Sequence, residues 1–522
     1  MQTEFPIESA GRLRFGASGG ILLDQPRSQE YPAQELSSEA RLTRRLVTTA
    51  VMLAIFMTAT DAYIVATAMP TIVADLGGFR LFSWAFAAYL LAQAVTIPIY
   101  GRLADLYGRK RVFFAGTSIF LIGSALCGFA WAMVPLVLFR VLQGAGAGAV
   151  QPIATTIIGD IYTPVERARM QGYVSGMFGI AAIIGPTLGA FVVEHISWSL
   201  VFWVNLPIGV ATLAMFGLFL HEDREPRRHR IDYLGSVMLM FGVGVPMLAL
   251  VQIGNADAVS VAALALGGAI ALAALTLRER RAAEPMLPLG LWRNRVVAVG
   301  CSAGFFNGAL MMAISGFLPT YVQGAMGGDA TAAGIVLAAS SVSWAFASMA
   351  AGRLMIRTSY RLAATIGGLT LVIGSGVLIL LTPASGLLWA GTGAFLLGIG
   401  MGFCNTAFIV SIQASVGWNE RGMATSATMF MRIVGQSVGA AVFGAILNFG
   451  VYSKLPEAGD AVNRLMTPAG RQSLGLDEIG RLTEAVGSSL HVVYVIAGLV
   501  AVVSLILALA LPPRLSPTRP HS

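Results

Sequence analysis

The chain has 522 residues, of which 56% are hydrophobic and only 11% charged, with a formal net charge of +8. A mean hydropathy of +0.74 excludes an ordinary soluble multidomain protein of this length. Apolar runs of about 20 residues, the length that crosses a bilayer core as a helix, recur throughout; they are continuous, not alternating, which argues against a β-barrel.

The first forty-odd residues are polar. They read as a disordered tail over 1–45, without a signal peptide's apolar segment, so the first span must act as its own insertion signal. Fourteen spans follow, at roughly 46–69, 82–101, 112–132, 135–158, 170–193, 199–220, 232–252, 258–277, 296–320, 331–353, 362–382, 386–413, 423–449 and 489–511. The three cysteines, Cys127, Cys301 and Cys404, all fall inside apolar runs, and no CxxC or Cys/His spacing suggests a disulfide framework or a zinc site.

Basic residues alternate from one side to the other. Arg41, Arg44 and Arg45, the 102–111 loop, Arg167 and Arg169, then 224–230, 278–295, 353–361, Arg421, and Arg514 with Arg519 all fall on one side. The opposite short loops hold only Arg80. The positive-inside rule places the first set, and both termini, in the cytoplasm. The segment 450–488 is then a long external loop. The positive charge is a topology signal, and it lacks the aromatic interleaving of a nucleic-acid surface.

A shift of about 254 residues brings parts of the two halves into register: Gly144, Gly146 and Gly148 fall on Gly398, Gly400 and Gly402, Gln151 on Asn405, and Gly185 on Gly439. Duplicated bundles with a substrate path between them are the architecture of many secondary transporters. The expected organisation is a six-helix bundle over 46–220, two extra spans with linkers over 221–295, a second six-helix bundle over 296–511 and a short tail over 512–522. No P-loop lysine is present, because Lys110 precedes Arg111 and Lys454 precedes Leu455. GAGAGA at 144–149 lies in an apolar helix and serves packing, not dinucleotide binding. No catalytic constellation appears, so the chain is expected to be no enzyme, to need no cofactor or metal, and to draw on an ion gradient.

Ionisable residues inside a bilayer are costly and point to function. Asp61 stands in span 1, Arg140 in span 4 and Arg432 in span 13, with Glu194 at the outer end of span 5. Burial favours a neutral carboxylic acid and a nearby arginine favours the carboxylate, so Asp61 suits a proton carrier. A static Asp61–Arg140 pair that locks two helices is the other reading. Arg432 suits either an anionic substrate group or packing against carbonyls.

Several motifs resemble the major facilitator superfamily, and within it the fourteen-span drug:proton antiporters, over about 46–511. Gly101-Arg-Leu-Ala-Asp105-Leu-Tyr-Gly108-Arg109-Lys-Arg111 is similar to the family's loop between spans 2 and 3. Leu136-x-x-x-Arg140-x-x-Gln143-Gly144 is similar to its span-4 motif. Gly176, then Gly185-Pro186-x-x-Gly189, is similar to the antiporter motif of span 5, with Ala190 in place of a second glycine. Asp61 to Ile72, Asn205-Leu-Pro207 and Arg432-x-x-Gly435-Gln-Ser-Val-Gly439 also resemble this group.

The resemblance implies an inner-membrane exporter of amphipathic, often cationic compounds by proton antiport. Asp61 and Arg140 would couple the proton. Gly101, Asp105, Gly108, Arg109 and Arg111 would form a conformational latch, and Tyr63, Gln143, Asn405 and Arg432 would lie on the substrate path. Its partners would be protons, a small amphipathic substrate and the lipid bilayer, with no nucleic acid; a periplasmic adaptor is left open. The alternatives are a dedicated exporter of one metabolite, an uptake symporter and a non-transporting sensor. In the second half Gly352-Arg353-Leu354 repeats the loop motif, but Ile356 stands in the aspartate's place.

Overall fold

A long apolar segment in lipid satisfies its backbone by coiling into a helix, and this chain does so almost throughout. The computed structural model describes residues 14–15, 21–22, 38–162, 164–220, scattered positions within 235–249, then 258–279, 289–416 and 421–512. The N-terminal unit, Met1–Leu46, contains two antiparallel two-residue strands, β1 (Arg14–Phe15) and β2 (Ile21–Leu22), and the start of the first helix. The rest of the expected tail over 1–37, and 513–522, lie outside the described residues.

The second unit, Val47–Ser522, holds the spans. The first bundle comprises α1 (Ser38–Leu76), α2 (Phe82–Tyr107), α3 (Arg109–Gly128), α4 (Met133–Ile161), α5 (Pro164–His195), and the bent pair α6 (Leu200–Trp203) and α7 (Asn205–Phe219). An extra helix, α8 (Ala258–Glu279), follows. The second bundle comprises α9 (Arg295–Met312), α10 (Ala330–Arg357), α11 (Tyr360–Ile379), α12 (Gly386–Ser415) and α13 (Arg421–Lys454), the short α14 (Gly459–Leu465) and α15 (Pro468–Gln472), and α16 (Leu476–Ala510). Among the described residues thirteen helical segments are long and apolar enough to cross a membrane. They coincide with every expected span but the seventh, 232–252, which lies largely outside the described residues; its described positions are helical.

Two segments differ from the sequence reading. The region 450–488, expected as a loop, is largely helical. Thr467 caps α15 by accepting from Gly470 N, with Pro468 in the first turn, and Asp477 and Glu478 occupy the first turn of α16, where carboxylates are favoured. Its polar residues cap helices outside the membrane. Span 9 also continues beyond 320. Past α9 it runs through two π-helical turns, Ala313–Phe317 and Tyr321–Ala325, on either side of Leu318–Thr320. Pro319 has no N–H to donate, and the wide turns accommodate that gap.

The repeat is visible in the packing. A Cβ on Gly144 would strike the Tyr89 carbonyl of α2, and one on Gly398 the Ser340 carbonyl of α10. Gly146 faces the backbone of Phe120 on α3, and Gly400 faces Leu371 on α11. So α4 and α12 take equivalent places, each laid against two neighbours at distances only glycine permits. Helix α8 lies along the seam between the bundles: Leu275 packs with Ala94, Val95 and Ile97 of α2 and with Phe430, Ile433 and Val434 of α13.

The face without the basic loops is closed by contacts between bundles. Asn448 Nδ2 donates to the Arg80 carbonyl at 2.8 Å, and the Arg80 guanidinium lies 4.4 Å from the Tyr452 ring centroid. Glu194 accepts from Thr331 N and Oγ1 at 2.8 and 2.6 Å. Gln323 Nε2 donates to the Thr67 carbonyl at 3.3 Å. Arg471, its pKa lowered by burial, donates to the carbonyls of Gln323 and Gly324 at 3.0 and 2.9 Å, tying the extramembrane helices to the end of span 9. Replacing Gly146 with Val should force α4 off α3 and cost about 1–3 kcal/mol, seen as a lower unfolding midpoint of the detergent-purified protein; Gly176→Val, which meets open space, should leave the midpoint unchanged.

Candidate functional site

Span 1 carries a carboxylate at a depth where an isolated charge is costly, and the fold brings partners to it from neighbouring spans. Asp61 on α1 and Arg140 on α4 are both almost wholly buried, and Arg140 Nη1 donates to Asp61 Oδ2 at 3.1 Å. Asp61 Oδ1 accepts from Gln143 Nε2 at 2.8 Å and from Asn205 Nδ2 at 2.7 Å. Both amides also donate to Ser124 Oγ, at 3.0 and 2.9 Å, and Ser124 donates to the Phe202 carbonyl. Arg140 further donates to Gln143 Oε1 and to the Ala85 carbonyl, and its guanidinium lies 3.9 Å from the Tyr89 ring centroid.

Local sequence explains this convergence. Gln143 follows Arg140 by one helical turn and shares its face. Gly123 lets α4 approach α3, because a Cβ there would strike the Gln143 backbone. Asn205 opens α7 just after the α6 break, and Pro207 sits in the first turn, where a missing N–H costs no helical bond. The carboxylate therefore has three donors, and the arginine has a carboxylate, an amide oxygen, a backbone carbonyl and an aromatic face. One buried acceptor of this cluster, Asn205 Oδ1, has no partner among the described residues.

The other sequence-derived residues fall elsewhere. Tyr63 lines a cavity of about 20 Å³, room for roughly one water, together with Met311, Ser341, Trp344 and Met401 of the second bundle. Asn405 and Arg432 line a second cavity of about 10 Å³ within the second bundle. Gln143 lines neither, its amide being engaged by Asp61 and Ser124. Along α5, Cβ atoms at Gly185 and Gly189 would come within 2.8 Å of Tyr63, Ile64 and Thr67 on α1, and the Pro186 carbonyl lies 3.0 Å from the position of a Cβ on Gly334 of α10. Gly176, nearer the basic face, would meet nothing within 4 Å. Gly185 and Gly189 are thus tightly packed, whereas Gly176 is not.

In the loop between α2 and α3, Gly108 has φ +90° and joins the two helices directly, a conformation that favours glycine. Gly101 faces open space on α2. Arg109 is buried in the first turn of α3 and Arg111 is exposed. The side chain of Asp105 lies outside the described residues. Lys110, which the sequence reading counted only for topology, donates from Nζ to the Gly217 and Leu220 carbonyls at 2.9 and 2.7 Å, capping the end of α7.

Two related six-span bundles, meeting at one face, the first with a buried ion pair in its interior, have the architecture of a membrane transporter for small molecules. The Major Facilitator Superfamily signature matches residues 51–440, and the chain belongs to that superfamily. It is 32% identical over 481 residues to "Multidrug resistance protein 3" of Bacillus subtilis (strain 168), covering 89% of this chain and 94% of that one. It is 33% identical to "Multidrug transporter protein MdtP" of the same organism, covering 79% and 77%. In fold it is similar to a bacterial homolog of the human lysosomal transporter Spinster, with a TM-score of 0.63 at 17% identity, covering 90% of this chain and 97% of that one.

The buried pair makes its own prediction. Arg140→Ala leaves the Asp61 carboxylate without its cation and should destabilise the protein by about 3–5 kcal/mol. Adding Asp61→Asn should recover much of that loss. Thermal unfolding of the single and double variants checks this; an Arg140→Ala protein as stable as the wild type refutes it.

Proposed function

We propose that this protein is a proton-coupled exporter of amphipathic compounds, working by alternating access in the cell (inner) membrane with both termini cytoplasmic. The observation that supports it best is the Asp61 cluster: one titratable carboxylate, buried and held by Arg140, Gln143 and Asn205. All three partners donate to the carboxylate. A proton arriving from outside removes that charge, leaves Arg140 without its anion and turns an acceptor-only group into a donor; the unused Asn205 Oδ1 is a buried acceptor nearby. Release of the proton toward the cytoplasm restores the cluster. The contacts that close the non-basic face are what a cytoplasm-facing state calls for, and the close-packed Gly185-Pro186-x-x-Gly189 segment suits a seal against leak.

The cationic preference implied by the resemblance rests on family likeness alone. No carboxylate lines either cavity among the described residues, and both Asp61 oxygens are engaged. Asp105 remains the proposed latch of the outward-facing state, acting in the first half only.

In everted vesicles under an imposed pH gradient, the wild type should accumulate ethidium and lose that accumulation with an uncoupler. Asp61→Asn should reduce gradient-driven uptake to background, and undiminished uptake would rule Asp61 out as the coupling site. Asp105→Asn should slow the same uptake several-fold with loop accessibility to membrane-impermeant reagents unchanged; a normal rate would leave that loop only its topological role.

A further inference from the structure

The second bundle contains a charge that the proton cluster does not use. Arg432 lies on α13, next to a cavity bounded by α9, α12 and α13. Its Nε is buried with no hydrogen-bond acceptor among the described residues. No carboxylate lines this cavity among the described residues. The sequence itself is poor in candidates: between Asp329 and Glu457 the only acidic residue is Glu420, which lies outside the described residues. An arginine placed in an apolar span without an anion is a costly arrangement, and close packing holds it there. A Cβ on Gly308 of α9 would strike the Arg432 carbonyl, and one on Gly435 the Phe305 carbonyl.

The groups beside it share its polarity. Asn307 Oδ1 is occupied by the Ser504 hydroxyl at 2.7 Å, so its Nδ2 is the group left for the cavity. Asn405 lines the same space with no hydrogen bond to another described side chain. The remaining wall includes Phe408 and Met429. A guanidinium and two amides beside an aromatic ring and a thioether complement a small anionic head on an apolar body, and a guanidinium matches a carboxylate in two-point geometry. The space itself, about 10 Å³, admits no more than one water, so a carboxylate would enter it only as the three helices part.

We propose that the α9–α12–α13 cavity is a subsite for the carboxylate of an amphipathic organic acid, held by Arg432 with Asn307 and Asn405. This deepens the export reading, on which it rests, by adding an acidic substrate class. The test uses the full-length protein purified in a neutral detergent, with 2-naphthoate, 2-naphthamide and 2-naphthylmethylammonium as probes and calorimetry as the readout. The acid should bind about tenfold or more tighter than the amide, as charge-assisted hydrogen bonds allow. Arg432→Gln should remove that preference, bringing the acid to the level of the amide, and Arg432→Lys should keep part of it. Should Arg432→Gln fail to fold, Asn405→Leu provides a second test, with a several-fold loss for the acid alone. Equal binding of acid and amide by the wild type, or full acid binding by Arg432→Gln, overturns the subsite and leaves Arg432 a packing residue. Gradient-driven transport in proteoliposomes separates this from the export reading. Transport of the ammonium probe without selective acid binding sinks the subsite and spares proton-coupled export. Arg432-dependent acid binding with no gradient-driven transport of any probe spares the subsite and sinks proton-coupled export.

Discussion

A carboxylate and a guanidinium that face each other out of reach of water constrain everything around them. Each ion alone in the apolar interior is strongly unfavourable, and together they are tolerable only if the remaining lone pairs and N–H groups also find partners. That requirement explains why the first bundle converges where it does. Helices α2, α4 and α7 supply a carbonyl, a ring and two amides to the Asp61–Arg140 pair, and Ser124 of α3, bonded in turn to the Phe202 carbonyl of α6, holds those amides. A hydrophobic pair of equal volume would hold the same helices together at least as well. Under the proposed proton coupling, the pair is instead a group whose charge changes.

The duplication reproduced a scaffold without its chemistry. The offset that superposes the glycines of α4 and α12 carries Asp61 onto Ser315, Arg140 onto Ala394 and Gln143 onto Leu397. None of these can form the ion pair. In the other direction Arg432 falls on Phe178. Backbone approach is repeated because both bundles must pack helices at the same distances, whereas the buried ion pair is not. Each bundle carries one type of unusual charge, a neutralised pair in the first and an unmatched cation in the second.

Much of this was legible in the sequence because lipid makes the relevant signals loud. A continuous apolar run, a charge inside it and a glycine every second residue each stand out against a bland background, so the spans, Asp61, Arg140 and the repeat could be read directly. The uncharged shell could not. Gln143, Ser124 and Asn205 are ordinary residues at ordinary positions, and the contact between Asn205 and Asp61 joins residues 144 positions apart. Gln143, expected on the substrate path, bonds here to Arg140 one turn away and to Asp61. Lys110 shows the same limit from the other side. Its charge fits the topology rule, which hid its second role at the end of α7. The helices within 450–488 were missed because charge in a long connection reads as solvent exposure, while Asp477 and Glu478 here mark a helix start.

Asp61 and Tyr63 stand two residues apart on α1, and on an α-helix that separation turns side chains about 200° from each other. One therefore points into the proton cluster while the other lines the cavity shared with the second bundle. A Cβ on Gly185 of α5 would come within 2.8 Å of the Tyr63 Cβ, so α5 lies hard against α1 at this level. Close-packed interiors pass displacement along instead of absorbing it. Under proton antiport, loss of the Asp61 charge and arrival of a substrate at Tyr63 then act on opposite sides of one stiff rod, against the same α5 seal. Coupling of this kind needs no relay of residues between the two sites, because a single helix belongs to both.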